Sequence, residues 1–167
     1  MMTLNKKILF VFACFCLMIA AKAQDTLFFD KYNNQHTGTY LKDFGFVLQG
    51  SDSVYNLYSL QADTVMILFY DPYCDHCHDA IKKLKKDKAL KQSIMSKSVI
   101  FLTVPPDITF EQWEQTVKHM PKLWLNAWSK EYDLITGQFL WKVPELFVLD
   151  KDFKILYIDM YNEQEDE

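Results

Sequence analysis

The part of this chain that most restricts its fold is Cys74-Asp75-His76-Cys77, set between an unbroken apolar run and a lysine-rich one. Upstream, Val65-Met66-Ile67-Leu68-Phe69-Tyr70 carries no charge on either alternation, as expected of a strand buried on both faces. Downstream, apolar residues recur at Ala80, Ile81 and Leu84 with Lys82, Lys83, Lys85 and Lys86 between them, the spacing of a helix with one charged face. The thiol pair therefore sits at a helix N-terminus, where backbone N–H groups and the helix dipole favour a thiolate. Thiolate is the form that attacks disulfides. One short stretch thus proposes both an architecture and a chemistry, thiol–disulfide exchange.

The first 23 residues read as a secretory leader. Lys6 and Lys7 form a positive start, Ile8 to Ala21 is apolar, and Ala21-Lys22-Ala23 offers the small residues of a cleavage site, so Gln24 is expected to begin the mature chain. The alternative is a retained anchor, but the apolar run is short for a membrane-spanning helix. Phe12 and Phe15 are too bulky for lipid attachment at Cys14 or Cys16. Cleavage leaves 144 residues, one domain's worth, in a soluble periplasmic or secreted protein. It also leaves one Cys-x-x-Cys pair in an oxidising compartment. So small a loop constrains an unfolded chain little, which suits a redox pair better than a structural staple. All 18 basic residues are lysine. Three of them leave with the leader and none of the 22 acids does, so the mature net charge is −7. That balance excludes nucleic acid as the expected partner, which needs a basic footprint and commonly arginine.

No glycine- or proline-rich linker, repeat or low-complexity segment divides residues 24–167. The expected organisation is a leader over 1–23, a polar, irregular extension over 24–43, and one domain over 44–167. Phe44–Leu48 and Ser53–Leu57 flank the turn-rich Gln49-Gly50-Ser51-Asp52 and read as a hairpin. Asp87 is placed to cap a second helix carrying Ala89, Leu90, Ile94 and Met95. Ser98–Val104 is a second buried strand, stopped by Pro105-Pro106. Thr109 is placed to cap a helix over Phe110–His119, closed by Pro121. Leu123–Trp128 reads as a short strand, and Glu131–Leu140 is open to either reading. Glu145–Leu149 and Phe153–Asp159 are the last strands, joined by Asp150-Lys151-Asp152. The order predicts an α/β three-layer sandwich, α/β/α, with a mixed central sheet and an N-terminal hairpin.

A strand, Cys74-x-x-Cys77, a helix and a distant Val143-Pro144 entering the strand Glu145-Leu146-Phe147-Val148-Leu149 resemble the thioredoxin superfamily. The long spacing from Cys77 to Pro144 is similar to that of the exported, membrane-associated thiol-reductase branch and of secreted thioredoxin-like proteins from gut-type bacteria. The resemblance covers residues 44–159. It implies that Cys74 is the exposed nucleophile and Cys77 the resolving thiol. It implies that Pro144 is a cis-proline facing the cysteines and presenting the Val143 backbone to a substrate strand. Tyr73 stands where an aromatic residue often precedes the first cysteine. Asp75 and His76 set redox poise in opposite directions: a protonated His76 favours the thiolate and a more oxidising disulfide, whereas Asp75, Asp71 and Asp79 disfavour a second anion. The implied activity is protein thiol–disulfide oxidoreduction, with no cofactor, acting on protein disulfides or dithiols and reset by a membrane or periplasmic redox partner.

Three features depart from the family pattern. Leu68 and Ala80 occupy positions where relatives carry a buried acid, so no acid–base helper for Cys77 is assigned. The usual C-terminal helix is missing, because only eight residues, four of them acidic, follow Asp159. Two other classes fit the same motif. One is a non-catalytic thioredoxin-fold binding module. The other is a metal-binding protein using Cys74, His76, Cys77 and His78; no metal is expected, since His36 and His119 are the only other histidines and a closed site needs four convergent ligands. The lysines of 82–91 read as a solvated helix face. Trp113, Trp124, Trp128 and Trp141 read as packing, with Trp141 and Lys142 bordering the expected groove.

Overall fold

The run 65–70 becomes the spine of the molecule because both alternations of it are apolar. In the computed structural model, which describes residues 30–31, 37–131 and 142–160, eight strands form one sheet. They are β1 (Asp30–Lys31), β2 (Gly45–Leu48), β3 (Val54–Asn56), β4 (Thr64–Phe69), β5 (Val99–Val104), β6 (Leu125–Trp128), β7 (Glu145–Asp150) and β8 (Ile155–Met160). Their order across the sheet is β1-β8-β7-β4-β5-β6-β2-β3. β4 pairs parallel with β5 and antiparallel with β7, so its backbone groups are satisfied on both sides. β5 pairs parallel with β6, and both sheet margins are antiparallel. The expected mixed α/β architecture with an N-terminal hairpin is what the chain adopts.

Alternation along β4 divides the interior into two cores. Val65, Ile67 and Phe69 point to one face with Phe147, Leu149, Leu102 and Ile155. Met66, Leu68 and Tyr70 point to the other with Leu146, Val148 and Phe101. Burying side chains of this size is worth about 1.5–3 kcal/mol each as an upper bound. The second core is covered by α1 (Asp75–Leu84), through Cys77, Ala80, Ile81 and Leu84, and by α2 (Lys88–Met95), through Leu90 and Ile94. The first core is covered by Leu41, Phe44, Leu57 and Phe153. A third helix, α3 (Phe110–Thr116), runs into a 3-10 turn over Val117–His119 and meets β6 through an edge-on contact of Phe110 with Trp128 at 5.3 Å.

The helix starts follow their capping residues. Asp87 Oδ1 accepts from the N–H of Ala89 at 2.8 Å and of Leu90 at 3.0 Å. Thr109 Oγ1 accepts from Gln112 N–H at 3.3 Å, and the Gln112 side chain accepts from Thr109 N–H at 2.9 Å, a full capping box.

One expectation needs refining and one needs correction. Residues 37–44 form no helix or strand, as expected of an irregular extension, yet the described part of the segment is tied to the edge of the sheet. β1 pairs with β8, and Thr37–Leu41 lies along the turn before β8: Gly38 N–H donates to the Ile155 carbonyl at 2.8 Å and Leu41 N–H to the Phe153 carbonyl at 3.1 Å. Backbone groups make this pairing, so a polar sequence serves it as well as an apolar one. Phe153 does not open the last strand. It sits in the preceding turn at φ 63°, a left-handed conformation costly for a bulky residue. Asp150 holds that turn, its Oδ1 accepting from Asp152 N–H at 2.9 Å and Lys154 N–H at 3.0 Å. The Phe153 ring offsets the cost by stacking on Tyr58 at 4.7 Å. The proposed leader, His36, Trp141, nearly all of 131–140 and the tail behind the missing-helix expectation lie outside the described residues. No helix among the described residues is long and apolar enough to cross a membrane.

Candidate active site

The site forms where β4 ends. Tyr70 N–H still reaches the Val104 carbonyl of β5 at 3.3 Å, and then Asp71-Pro72-Tyr73 turns the chain into α1. The turn is closed twice by Asp71: its carbonyl accepts from Cys74 N–H at 3.2 Å, and its Oδ1 accepts from Tyr73 N–H at 2.8 Å. Cys74 is the N-cap of α1, with extended backbone angles, φ −98° and ψ 124°. Its Sγ accepts from Cys77 N–H at 3.3 Å, so sulfur takes the place an oxygen usually fills at a helix start.

The two thiols differ in exposure. Cys74 is half-buried and Cys77 fully buried, both unbridged. Cys77 packs among Leu68, Ala80, Ile81 and Leu146. Its Sγ accepts from Asp71 N–H at 3.3 Å. Burial pushes the Cys77 thiol well above its ordinary range; the Asp71 N–H opposes this, while Cys74 and the Asp71 carboxylate push it further up. Leu68 and Ala80, where the resemblance led an acid to be looked for, are both fully buried in this same cluster and make the surroundings apolar.

The cis bond expected at Val143–Pro144 is present. β7 begins at Glu145, paired with Phe69, so the cis bond just before it lies at the end of β4 from which Tyr70 and Asp71 lead into α1. Val143 packs on the same cluster as Cys74 and Cys77. Residues 66 positions apart in sequence thus share one site. Tyr73 is exposed, as are Asp75, His76 and Lys142. Asp79 is exposed on α1 and His119 ends the 3-10 turn. Among the described residues no group of three or more histidine, cysteine or acidic side chains is poised to hold a metal.

Three interactions at the site are not legible in the sequence. Tyr70 is buried on the Cys77 face, with its hydroxyl making no hydrogen bond among the described residues and its own ionisation pushed far up by burial and by Cys77. Alternation from Leu68 was the available signal for its direction. Asp71 contributes its backbone N–H to a sulfur, which no residue type announces. The His78 ring lies 2.8 Å from the Pro72 carbonyl, to which a ring N–H donates, and this fastens α1 to the turn before it.

With strand, thiol pair, helix and cis-proline assembled in one place, the class is that of thioredoxin-like proteins. A family described as thioredoxin-like matches residues 61–155, and the chain belongs to it. Among solved structures it is similar to a thioredoxin-like protein from Bacteroides caccae, at 29% identity and TM-score 0.67, over 74% of this chain and 46% of that one. The chain thus spans about half the length of that protein. It is similar to a conserved protein of unknown function from Bacteroides fragilis, at 25% identity and TM-score 0.67, over 77% of this chain and 93% of that one. The thioredoxin domain of a thiol–disulfide oxidoreductase from Bacteroides vulgatus shares the fold, at 17% identity and TM-score 0.63, over 76% of this chain and 90% of that one. No curated protein matches the sequence.

Proposed function

We propose that this chain is an exported protein thiol–disulfide oxidoreductase, with Cys74 as nucleophile and Cys77 as resolving thiol. The observation that carries the reading is the asymmetry of the pair: Cys74 half-buried at the helix N-cap, Cys77 fully buried one turn in. In the reducing direction the Cys74 thiolate attacks one sulfur of a substrate disulfide. The substrate S–S bond breaks, a mixed disulfide forms and a substrate thiolate leaves. Cys77 then gives up its proton and attacks Cys74 Sγ. The mixed disulfide breaks, a second substrate thiolate leaves, and the Cys74–Cys77 disulfide remains. Two electrons have passed to the substrate, and a separate redox protein restores the dithiol.

Burial makes the resolving step depend on releasing the Cys77 proton within an apolar site. That favours waiting until substrate is bound, because the partner sulfur is then already attached to Cys74. Val143 would offer its backbone to an extended substrate segment, and exposed Tyr73 would border that segment. The exported, reductase-like branch of the family suits the leader-like N-terminus and the long separation of Cys77 from Pro144.

The test uses single variants and a disulfide substrate. The protein should accelerate the reduction of insulin disulfides by dithiothreitol, and Cys74→Ser should abolish this. Cys77→Ser should accumulate mixed disulfides, and Cys74→Ser should not. Iodoacetamide at neutral pH should label Cys74 before Cys77. Faster labelling of Cys77, or wild-type-like turnover in Cys74→Ser, would refute the assignment.

A further inference from the structure

Beside the cysteine pair, between α1 and the 3-10 turn that follows α3, lies a cleft of about 460 Å³. Its floor is apolar: the Tyr70 ring, Pro72, Ile81 and Met120. Its rim is cationic or imidazole: Lys82 and Lys85 with His78 and His119. Among the described residues no acid lines it, although acids outnumber lysines 22 to 18 along the chain. Helical patterning alone makes these lysines a solvated face. The fold instead turns two of them toward a concavity, because α3 docks some 30 residues later and supplies the opposite wall.

The walls are fixed from both ends. Lys85 Nζ donates to the His119 carbonyl at 3.1 Å and ties α1 to the 3-10 turn. The His78 ring is fastened to the Pro72 carbonyl. The Lys82 ammonium and the His119 ring have no such partner among the described residues and are free for a ligand. A smaller cleft of about 230 Å³ adjoins along Lys85 and repeats the pattern, with Lys91 and Lys122 around Leu84, Leu90 and Trp124.

We propose that this cleft binds a small amphipathic carboxylate, its apolar body on the Ile81–Met120 floor and its carboxylate at Lys82 and His119. The volume lies within the usual range for small-molecule sites, about 300–1,000 Å³. A phosphate would seek backbone N–H groups and open hydroxyls; of the two hydroxyls among the lining residues, Thr116 already donates to the Gln112 and Trp113 carbonyls and that of Tyr70 is buried. An amine meets like charge at the rim. The single negative end and apolar body of a medium-chain carboxylate match both surfaces. This site is independent of the redox assignment, since nothing in it requires Cys74 or Cys77 to react.

Titration calorimetry of the protein with octanoate, and with octylamine as its charge-reversed counterpart, tests the proposal. One octanoate should bind per chain, octylamine should not, and amide signals of Ile81, Thr116 and Met120 should shift. The double variant Lys82→Glu/His119→Glu alters two exposed side chains and should weaken octanoate by at least about tenfold. Thr116→Trp, which fills the cleft, should do the same by a different route. No saturable octanoate binding, equal affinity for octylamine, or undiminished octanoate affinity in both folded variants would overturn it.

Discussion

The two faces of β4 share one strand and serve different ends. On the Ile67 face, aromatic and aliphatic side chains close on one another, with Phe69 and Phe147 edge to face at 5.2 Å. On the Leu68 face, the packing is interrupted by groups with chemistry: Cys77, the Tyr70 hydroxyl, and Thr103, whose Oγ1 donates to buried Asn126 at 2.9 Å. The first face is apolar but for the end of β7, where Glu145, opposite Phe69, is buried. The other accepts less favourable burial to hold a thiol and its surroundings in place. Stability should therefore depend most on the first face, and reactivity on the second.

The largest effect expected is on the first face. Phe147→Ala should cost about 3–5 kcal/mol in urea unfolding, as large aromatic truncations do. It should leave the order of cysteine labelling unchanged wherever the protein remains folded. A change in that order would show that the two faces are not separable.

The next effect belongs to Cys77 and is set by pH. Its folded thiol lies above the ordinary value of 9.0, so as pH rises the unfolded chain releases this proton first. Stability is thus intact below about pH 9 and falls above it, by about 1.4 kcal/mol per pH unit for one group. Forming the Cys74–Cys77 disulfide removes that titration. The oxidised protein should hold until about pH 10, where Tyr70, also raised by burial, and half-buried Tyr157, pushed up to about 12, begin the same kind of loss. Urea midpoints of both redox forms across this range would check the sign. Equal curves would mean that Cys77 is not buried as a thiol.

A smaller effect, of unusual sign, is expected at Tyr70. Its buried hydroxyl has no hydrogen-bond partner among the described residues, so Tyr70→Phe should stabilise the fold, by about 1 kcal/mol. Destabilisation of similar size in thermal melts would reveal a partner for the hydroxyl. The smallest effect is at His76, exposed at the start of α1. His76→Leu should make the Cys74–Cys77 potential more negative, by up to about 30 mV, the equivalent of 1.4 kcal/mol for a two-electron couple. Equilibration with glutathione would measure it, and an unchanged potential would assign the poise to the helix and the aspartates.

What could be read before the fold was known follows the range of each signal. β4 was legible because six successive apolar residues have one structural use. Asp87 and Thr109 were legible because a cap acts within three residues of itself. The cysteine pair was legible from its neighbours, but its company was not. Leu68 was noted as a missing acid, and nothing local showed that Tyr70 would stand on the same face as Cys77 with its hydroxyl unpaired. The attachment of Thr37–Leu41 to the sheet edge was not legible because backbone pairing leaves little mark on side-chain pattern. Phe153 was misread because an apolar residue next to a strand counts as strand, and the turn that claims it is organised by Asp150. The cleft beside α1 needed a wall from α3, which no periodicity in 78–85 could announce.

The hydrogen bond from Asp71 N–H to Cys77 Sγ has a further use. An amide proton is deshielded according to the electron density of its acceptor, and this one faces a sulfur that is a thiol, a thiolate or half of a disulfide. The Asp71 resonance is therefore a native gauge of the resolving sulfur. Followed in a nitrogen-15-labelled sample, it would report when Cys77 loses its proton and when it closes on Cys74, with no label or substitution near the reacting atoms.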